Sequence, residues 1–357
     1  MLEAEEKAPV RVSVCIPTYN GAVFLAEAIK SVLDQSLSDF ELLIVDDCST
    51  DATLEIARSF TDSRIRIHRN EERLGIPGNW NRCLSLAQGE YISLFHQDDV
   101  MLPENLARKV ETLASDPTIS LVHSAVEFLV EDSTLSPPAN WLDDATEDLV
   151  IDGRVYFRKL LLGNLICAPA VMARRKTLLD LGGFDETLGF TPDYAMWLKL
   201  CVEGRVAFLS QPLLLYRWHG KNASHAYRFE RGIEETLTAR RRALLHYEER
   251  TGRHEEVEAL QCAIQALAEA QRREVKLDRQ SERQLAYIKE LEQLRDKLWA
   301  DVQQVGKSWE EQKTYIENQR RYITDLEHER DQLVTERDRL LSHPLWRLAR
   351  KIRGGSR

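Results

Sequence analysis

No two of the six cysteines form a C-x-x-C pair: Cys15, Cys48, Cys83, Cys167, Cys201 and Cys262 are scattered along the whole chain. That spacing argues against a zinc ribbon or a disulfide framework and suits reduced thiols in a cytoplasmic protein. No apolar run approaches the roughly 18 residues a membrane-spanning helix needs. The acidic start, Met1 to Lys7, lacks the apolar core of a signal peptide. Positive charge is not in excess: 48 Lys and Arg face 58 Asp and Glu, for a net charge of -10, which argues against a nucleic-acid partner. Proline is missing between Pro212 and Pro344, and glycine nearly vanishes after Gly232, while Glu, Gln, Arg and Leu take over. A folded α/β part therefore ends near residues 220–235. With 357 residues, 43% of them hydrophobic, there is chain for one sizeable core and a further element.

The folded part is organised around Gly89 to Val100. Tyr91, Ile92, Leu94 and Phe95 read as a buried strand, and Asp98 and Asp99 stand side by side where it must stop. Adjacent carboxylates repel and lose solvation if buried, so a cation is one reason to keep both ionised; a solvated acidic turn is the other reading. Upstream, Val10 to Ile16 predicts a strand and Pro17 to Gly21 a turn. A helix carrying Phe24, Leu25, Ala28, Ile29, Val32 and Leu33 follows, then the strand Phe40 to Val45, which ends in Asp46, Asp47, Cys48, Ser49, Thr50 and Asp51. This is a βαβ unit, and its acidic loop lies at a strand's carboxyl end, where open α/β sheets bind ligands. Ile65 to His68, Ser120 to Val130 and Ile166 to Met172 read as further strands, and Asn79 to Ala87 as a helix.

Three segments carry a resemblance: Val14 to Asn20, Val45 to Asp51, and Gly89 through Asp99. Together, in this order and spacing, they resemble the family-2 glycosyltransferases over roughly residues 10 to 220. The resemblance implies a GT-A fold, an α/β nucleotide-sugar-binding domain with a mostly parallel sheet. It implies a nucleoside-diphosphate sugar as donor, a UDP-sugar favoured, and a glycan or lipid-linked acceptor of the kind used in bacterial surface polysaccharide assembly. Tyr19 can lay its ring on the base, the Pro17 and Thr18 backbone can bond its edge, and Asp47 can accept from a base N–H. Asp98 and Asp99 match the family's Asp-x-Asp region, which holds the ribose and Mg²⁺ or Mn²⁺. His96 stands where the family often has another acid, which leaves open which aspartate is the metal ligand. Leu181 to Glu186 resembles the Gly-Gly-Phe-Asp-Glu turn. Pro192-Asp193 stands where the family commonly has Glu-Asp, so Asp193 carries over as the base, with a helix cap as the plainer reading. At the head of a helix its carboxylate form is expected to be favoured. His219 ends the strand that begins at Pro212 and is expected near the diphosphate. The reaction implied is inverting, metal-dependent transfer. A coiled-coil scaffold whose α/β domain binds a nucleotide sugar without turning it over is the rival, and four acids in place argue against it.

The rest of the chain is helical in pattern. Residues 1–225 are read as the transferase domain, 226–284 as a helical linker or hairpin, 285–342 as a coiled coil and 343–357 as a basic tail. From Ile288 to Leu340, steps of three and four give a mostly apolar seam flanked by Glu, Lys and Arg. A homo-oligomer is expected, two strands favoured and three open, on a rod of ~80 Å. In the tail, Leu345, Leu348, Ala349 and Ile352 share a face bordered by Trp346, with charge from Arg347, Arg350, Lys351 and Arg353 and no acid. That pattern suits peripheral contact with the inner face of a membrane.

Overall fold

Strand and helix alternate along the first half of the chain as the hydrophobic pattern predicts. The computed structural model describes residues 10–131, 145–219, 222, 230–305 and 313–342, in two units, 1–268 and 269–357. In the first unit β1 (Val12–Thr18), α1 (Leu25–Leu33), β2 (Phe40–Asp46), α2 (Thr53–Ser59), β3 (Ile65–Arg69), α3 (Gly75–Leu86) and β4 (Tyr91–Leu94) come in order. They are followed by β5 (Val100–Met101), α4 (Asn105–Ser115), β6 (Ile119–Ser124), β7 (Glu127–Val130), β8 (Leu149–Ile151) and α5 (Gly153–Leu160). Next are β9 (Val171–Arg174), α6 (Arg175–Asp180), α7 (Pro192–Glu203), β10 (Arg205–Leu209), β11 (Leu214–Trp218) and α8 (Glu230–Thr251).

Eight strands form one sheet in the order β3-β2-β1-β4-β9-β6-β10-β8. β1 pairs in parallel with both β2 and β4, β2 with β3, and β6 with β10. β9 runs antiparallel between β4 and β6. The chain thus builds outward from β1 on one side, then returns to lay β4 on the other, so the β1/β4 crevice is a topological switch point. β1 and β2 are buried on both faces, which explains the continuous apolar stretches Val14 to Ile16 and Leu42 to Val45. Gly89 is needed at the approach to β4: a Cβ there would lie 2.5 Å from the Ser13 backbone nitrogen. A second sheet, β5-β11-β7, lies beyond the ends of the first.

Two expected strands are corrected. The run Ser120 to Val130 is two strands in different sheets, because Ala125 leaves the first ladder. Its N–H donates to Leu209 and its carbonyl accepts from Leu213. Of Ile166 to Met172 only Val171 and Met172 join β9. Ala168–Ala170 is a single 3-10 turn containing Pro169, which has no N–H for a ladder. The expected boundary at 225 also moves: α8 packs on α7, Val257 and Ile264 are buried, and the first unit runs to residue 268.

Beyond residue 268 the chain continues in α9 (His254–Val305) and α10 (Lys313–Ser342). The Tyr287 hydroxyl donates to Glu329 at 3.2 Å. In one continuous helix those residues, 42 apart, would be separated by ~63 Å. The ~80 Å rod is therefore corrected to two helices lying alongside one another, with Ile323 and Leu326 of the seam buried. Gly306, the loop around Trp141 and the basic tail lie outside the described residues. No helix among the described residues is long and apolar enough to cross a membrane.

Candidate active site

The acids of the sequence motifs gather where β1, β2 and β4 end. Tyr19 follows β1. Its N–H donates to Gln97 Oε1 at 3.0 Å, and Gln97 Nε2 donates back to the Tyr19 carbonyl at 3.2 Å. The loop after β1 is thus tied to the loop after β4. The Arg73 guanidinium lies 3.9 Å over the Tyr19 ring, so that aromatic face already stacks on a planar cation. Asp46, fully buried, accepts from the Ser49 N–H at 3.0 Å and the Thr18 hydroxyl at 3.4 Å. Asp47 accepts from Asn70 Nδ2 and from the Leu74 and Gly75 N–H groups at 2.7–3.0 Å. The last two are free donors at the start of α3, which explains why that helix begins at Gly75, earlier than the expected Asn79. Of about four acceptor directions on a carboxylate, three of Asp47's are used among the described residues. Pro17 and Thr18 close β1 opposite Val45 and Asp46.

Asp98 and Asp99 differ sharply in surroundings. Asp98 is partly exposed and bonds His219 Nε2 at 3.0 Å. Burial would push its carboxyl up, but the His219 hydrogen bond and the neighbouring His96 hold it below the usual range. Asp99 is buried. Its Oδ1 accepts from the Arg217 N–H at 2.9 Å, while Oδ2 has no hydrogen-bond partner among the described residues. Burial first, and the nearby Asp98 second, push its carboxyl well up. His96 stacks on Trp80, and its Nδ1 is 3.8 Å from the unpaired Asp99 oxygen. Burial pushes the imidazole down, towards its neutral, metal-binding form. Ligand atoms of His96, Asp98 and Asp99 all lie within 4.8 Å of one another. A buried carboxylate oxygen without a donor, beside a second carboxylate and a neutral imidazole, fits a divalent cation.

Arg217, in the same strand as His219 but not among the expected site residues, anchors this corner. Its Nε donates to the Asp98 carbonyl at 2.7 Å, and its two terminal nitrogens reach Glu27, at 2.5 Å, and Glu131. It also lies over Phe24, on which His219 stacks. His219 is thereby fixed on Asp98.

Asp193 is brought to the same place. It sits in the first turn of α7, directly after Pro192, with Trp197, Leu198 and Cys201 packed inward as the helical spacing predicts. Asn164 Nδ2 donates to its Oδ2 at 3.3 Å. Burial pushes its carboxyl up to about 6. The expected direction is corrected here: loss of solvation outweighs the positive end of the helix. The Cys167 thiol, pushed well up by burial, also feels the charges of both Asp99 and Asp193, so both acids lie near it. A chain of ring contacts, His96 to Trp80, Trp80 to Phe184 and Phe184 to Trp197, joins the β4 loop to α7.

An open, mostly parallel sheet with acids at its strand ends and switch point is the architecture of a nucleotide-binding α/β protein. Comparisons with known proteins narrow this. Residues 13–182, just under half of the chain, match the family model described as Glycosyl transferase family 2. An uncharacterised protein of Mycobacterium tuberculosis is 32% identical over 218 residues, 58% of this chain and 66% of its own length. TuaG of Bacillus subtilis, a glycosyltransferase provisionally assigned to teichuronic acid biosynthesis, is 29% identical over 58% of this chain and 78% of its own. Among solved structures, Staphylococcus aureus TarS residues 1–349 with UDP-GlcNAc superimposes with a TM-score of 0.59 at 19% identity, covering 72% of each chain. At that identity the likeness is one of fold, and the fold is GT-A-like. Asp193 lies beyond the matched segment.

Proposed function

We propose that the protein is an inverting glycosyltransferase that moves a sugar from a nucleoside diphosphate to an acceptor hydroxyl in the assembly of a surface glycan. The observation that carries the reading is the buried carboxylate of Asp193, poised near neutrality and sharing Cys167 as a neighbour with the Asp99 of the paired acids. A base with such a value is ionised at pH 7 and still binds a proton strongly. Asp193 takes the proton of the acceptor hydroxyl as its oxygen attacks the anomeric carbon. The bond from that carbon to the diphosphate breaks on the opposite face, and the electron pair leaves with the diphosphate.

Asp99 and Asp98, with His96, would hold Mg²⁺ or Mn²⁺, and the imidazole favours Mn²⁺. A bound divalent cation supplies positive charge against the developing charge of the leaving nucleoside diphosphate. Tyr19, with the Pro17 and Thr18 backbone and Asp47, receives the base. His219 holds Asp98 in place. The UDP-GlcNAc bound by the TarS neighbour supports a UDP-sugar.

A panel of nucleotide sugars screened for thermal stabilisation with Mn²⁺ names the donor, since a ligand at 100 times its Kd adds ~2.7 kcal/mol. Asp99→Asn is expected to abolish both the Mn²⁺-dependent stabilisation by UDP and transfer, leaving the fold intact. Wild-type activity unaffected by excess chelator would remove the metal from the reading.

The arm is proposed to associate with its own copy. Exposed Tyr287, Leu294 and Tyr322 supply apolar surface that the intrachain pairing does not cover. Sedimentation of the full chain at micromolar concentration checks this, and a monomer overturns it.

A further inference from the structure

The face of α8 turned inward in the first unit carries Ile233, Leu237, Arg240, Leu244 and Tyr247, at steps of four and three, and all five are buried. Four suit a helix seam. The fifth is an arginine with 1% of its surface exposed. A guanidinium loses much solvation in such a place, and an apolar residue of similar volume serves packing at less cost. No carboxylate pairs with Arg240 among the described contacts. Its Nε donates to the Tyr194 hydroxyl at 3.0 Å, and its Nη2 to the Leu162 carbonyl at 3.2 Å. The Tyr194 hydroxyl in turn donates to the Leu160 carbonyl at 2.7 Å.

These contacts bracket one side chain. Tyr194 directly follows Asp193. Leu162 stands two residues before Asn164, whose amide donates to Asp193 Oδ2. Other contacts of α8 grip the same helix at both ends. Glu235 accepts from the Phe190 N–H at 2.8 Å, just before α7. His246 and Arg250 reach Glu203, its last residue, at 2.9 and 2.8 Å.

We infer that Arg240 is a positioning residue for the Asp193 carboxylate, and that α8 is part of the catalytic unit although it lies outside the segment matching the family model. Arg240 holds the start of α7, which carries the carboxylate, against the loop that presents its amide donor. This rests on the reading of Asp193 as the base. An error of about 1 Å in placing a reacting group costs up to about 100-fold in rate, which sets the size of effect to look for.

The test uses the full chain, with Mn²⁺ and the UDP-sugar that the donor panel selects. Turnover is read as UDP release, and affinity as UDP binding. Arg240→Met is expected to lower kcat about 10- to 100-fold with UDP affinity within about twofold, and Arg240→Lys to recover part of the loss. Tyr194→Phe, which keeps the ring and loses only the hydroxyl, is expected to lower kcat in the same way. It carries the test if Arg240→Met fails to fold. The double variant Arg240→Met/Tyr194→Phe should be no worse than the poorer single one, because the two side chains act through one contact. If Tyr194→Phe and any folded Arg240 variant keep wild-type kcat while Asp193→Asn loses turnover, the inference is overturned and the base reading survives. If Asp193→Asn turns over normally, or wild type releases UDP from no donor, the base reading fails and the inference with it.

Discussion

Asp193→Asn is expected to lower turnover by a factor of about 10² to 10⁴ and, in the same variant, to raise the melting temperature at pH 8. Both outcomes come from one carboxyl pushed by burial from 3.8 to about 6. The amide cannot take the proton of the attacking hydroxyl, so the loss falls on kcat and leaves nucleotide affinity nearly unchanged. For stability, the folded value lies above the unfolded one, so the folded chain binds this proton more tightly. The contribution is most favourable below 3.8, declines as the pH rises to about 6, and stays at its least favourable value above. A shift of about two units corresponds to ~3 kcal/mol, which a neutral isostere does not lose at pH 8. Wild-type activity should fall on the acid side with a midpoint near 6, and the stability gap between variant and wild type should close towards pH 4. Unchanged kcat with collapsed UDP binding would make Asp193 a binding residue. A lower melting temperature at pH 8 would make it a helix cap whose loss costs ~1 kcal/mol.

The sequence displays the strand ends of the site because each lies in a short local pattern. An apolar run stops at a pair of acids, and the alternation with helices places those stops on one edge of the sheet. Asp46, Asp47, Asp98 and Asp99 stand out for that reason, and Asp193 only through the resemblance of Pro192-Asp193 to the family's acidic motif. What decides their chemistry is not local. Arg217 stands in a recognisable strand, but the groups it joins to the site, Glu27, Glu131 and Asp98, lie 190, 86 and 119 residues away in sequence. Asn164 and Arg240 carry no motif at all. The direction of the Asp193 shift is a contest between a helix terminus and burial, and only the packing of α7 settles it. The arm is a different case. A seam at steps of three and four says that a helix has an apolar stripe, and not whether its partner is another chain or the next helix of the same one. The Tyr287–Glu329 contact adds that the two helices meet within the chain.

Lys109→Met is expected to stabilise the protein by a few kcal/mol at pH 6 to 7. Lys109 lies on the inner face of α4, fully buried, and its Nζ has no hydrogen-bond partner among the described residues. Burial pushes the amine from 10.5 down to about 7, opposed only weakly by the Cys167 thiol beside it. The folded chain therefore binds this proton less tightly than the unfolded one. The penalty is absent above 10.5, grows as the pH falls to about 7 and is constant below. A drop of three to four units corresponds to roughly 4 kcal/mol at pH 7, and methionine, similar in length and apolar, escapes it without opening a cavity. Melting curves of wild type and variant at pH 6 should differ by several degrees, and the difference should shrink steadily towards pH 10. A variant no more stable than wild type at pH 6 would mean that the ammonium finds a partner inside the fold. The natural place for one is beside Cys167, the one charged neighbour that acts on this amine.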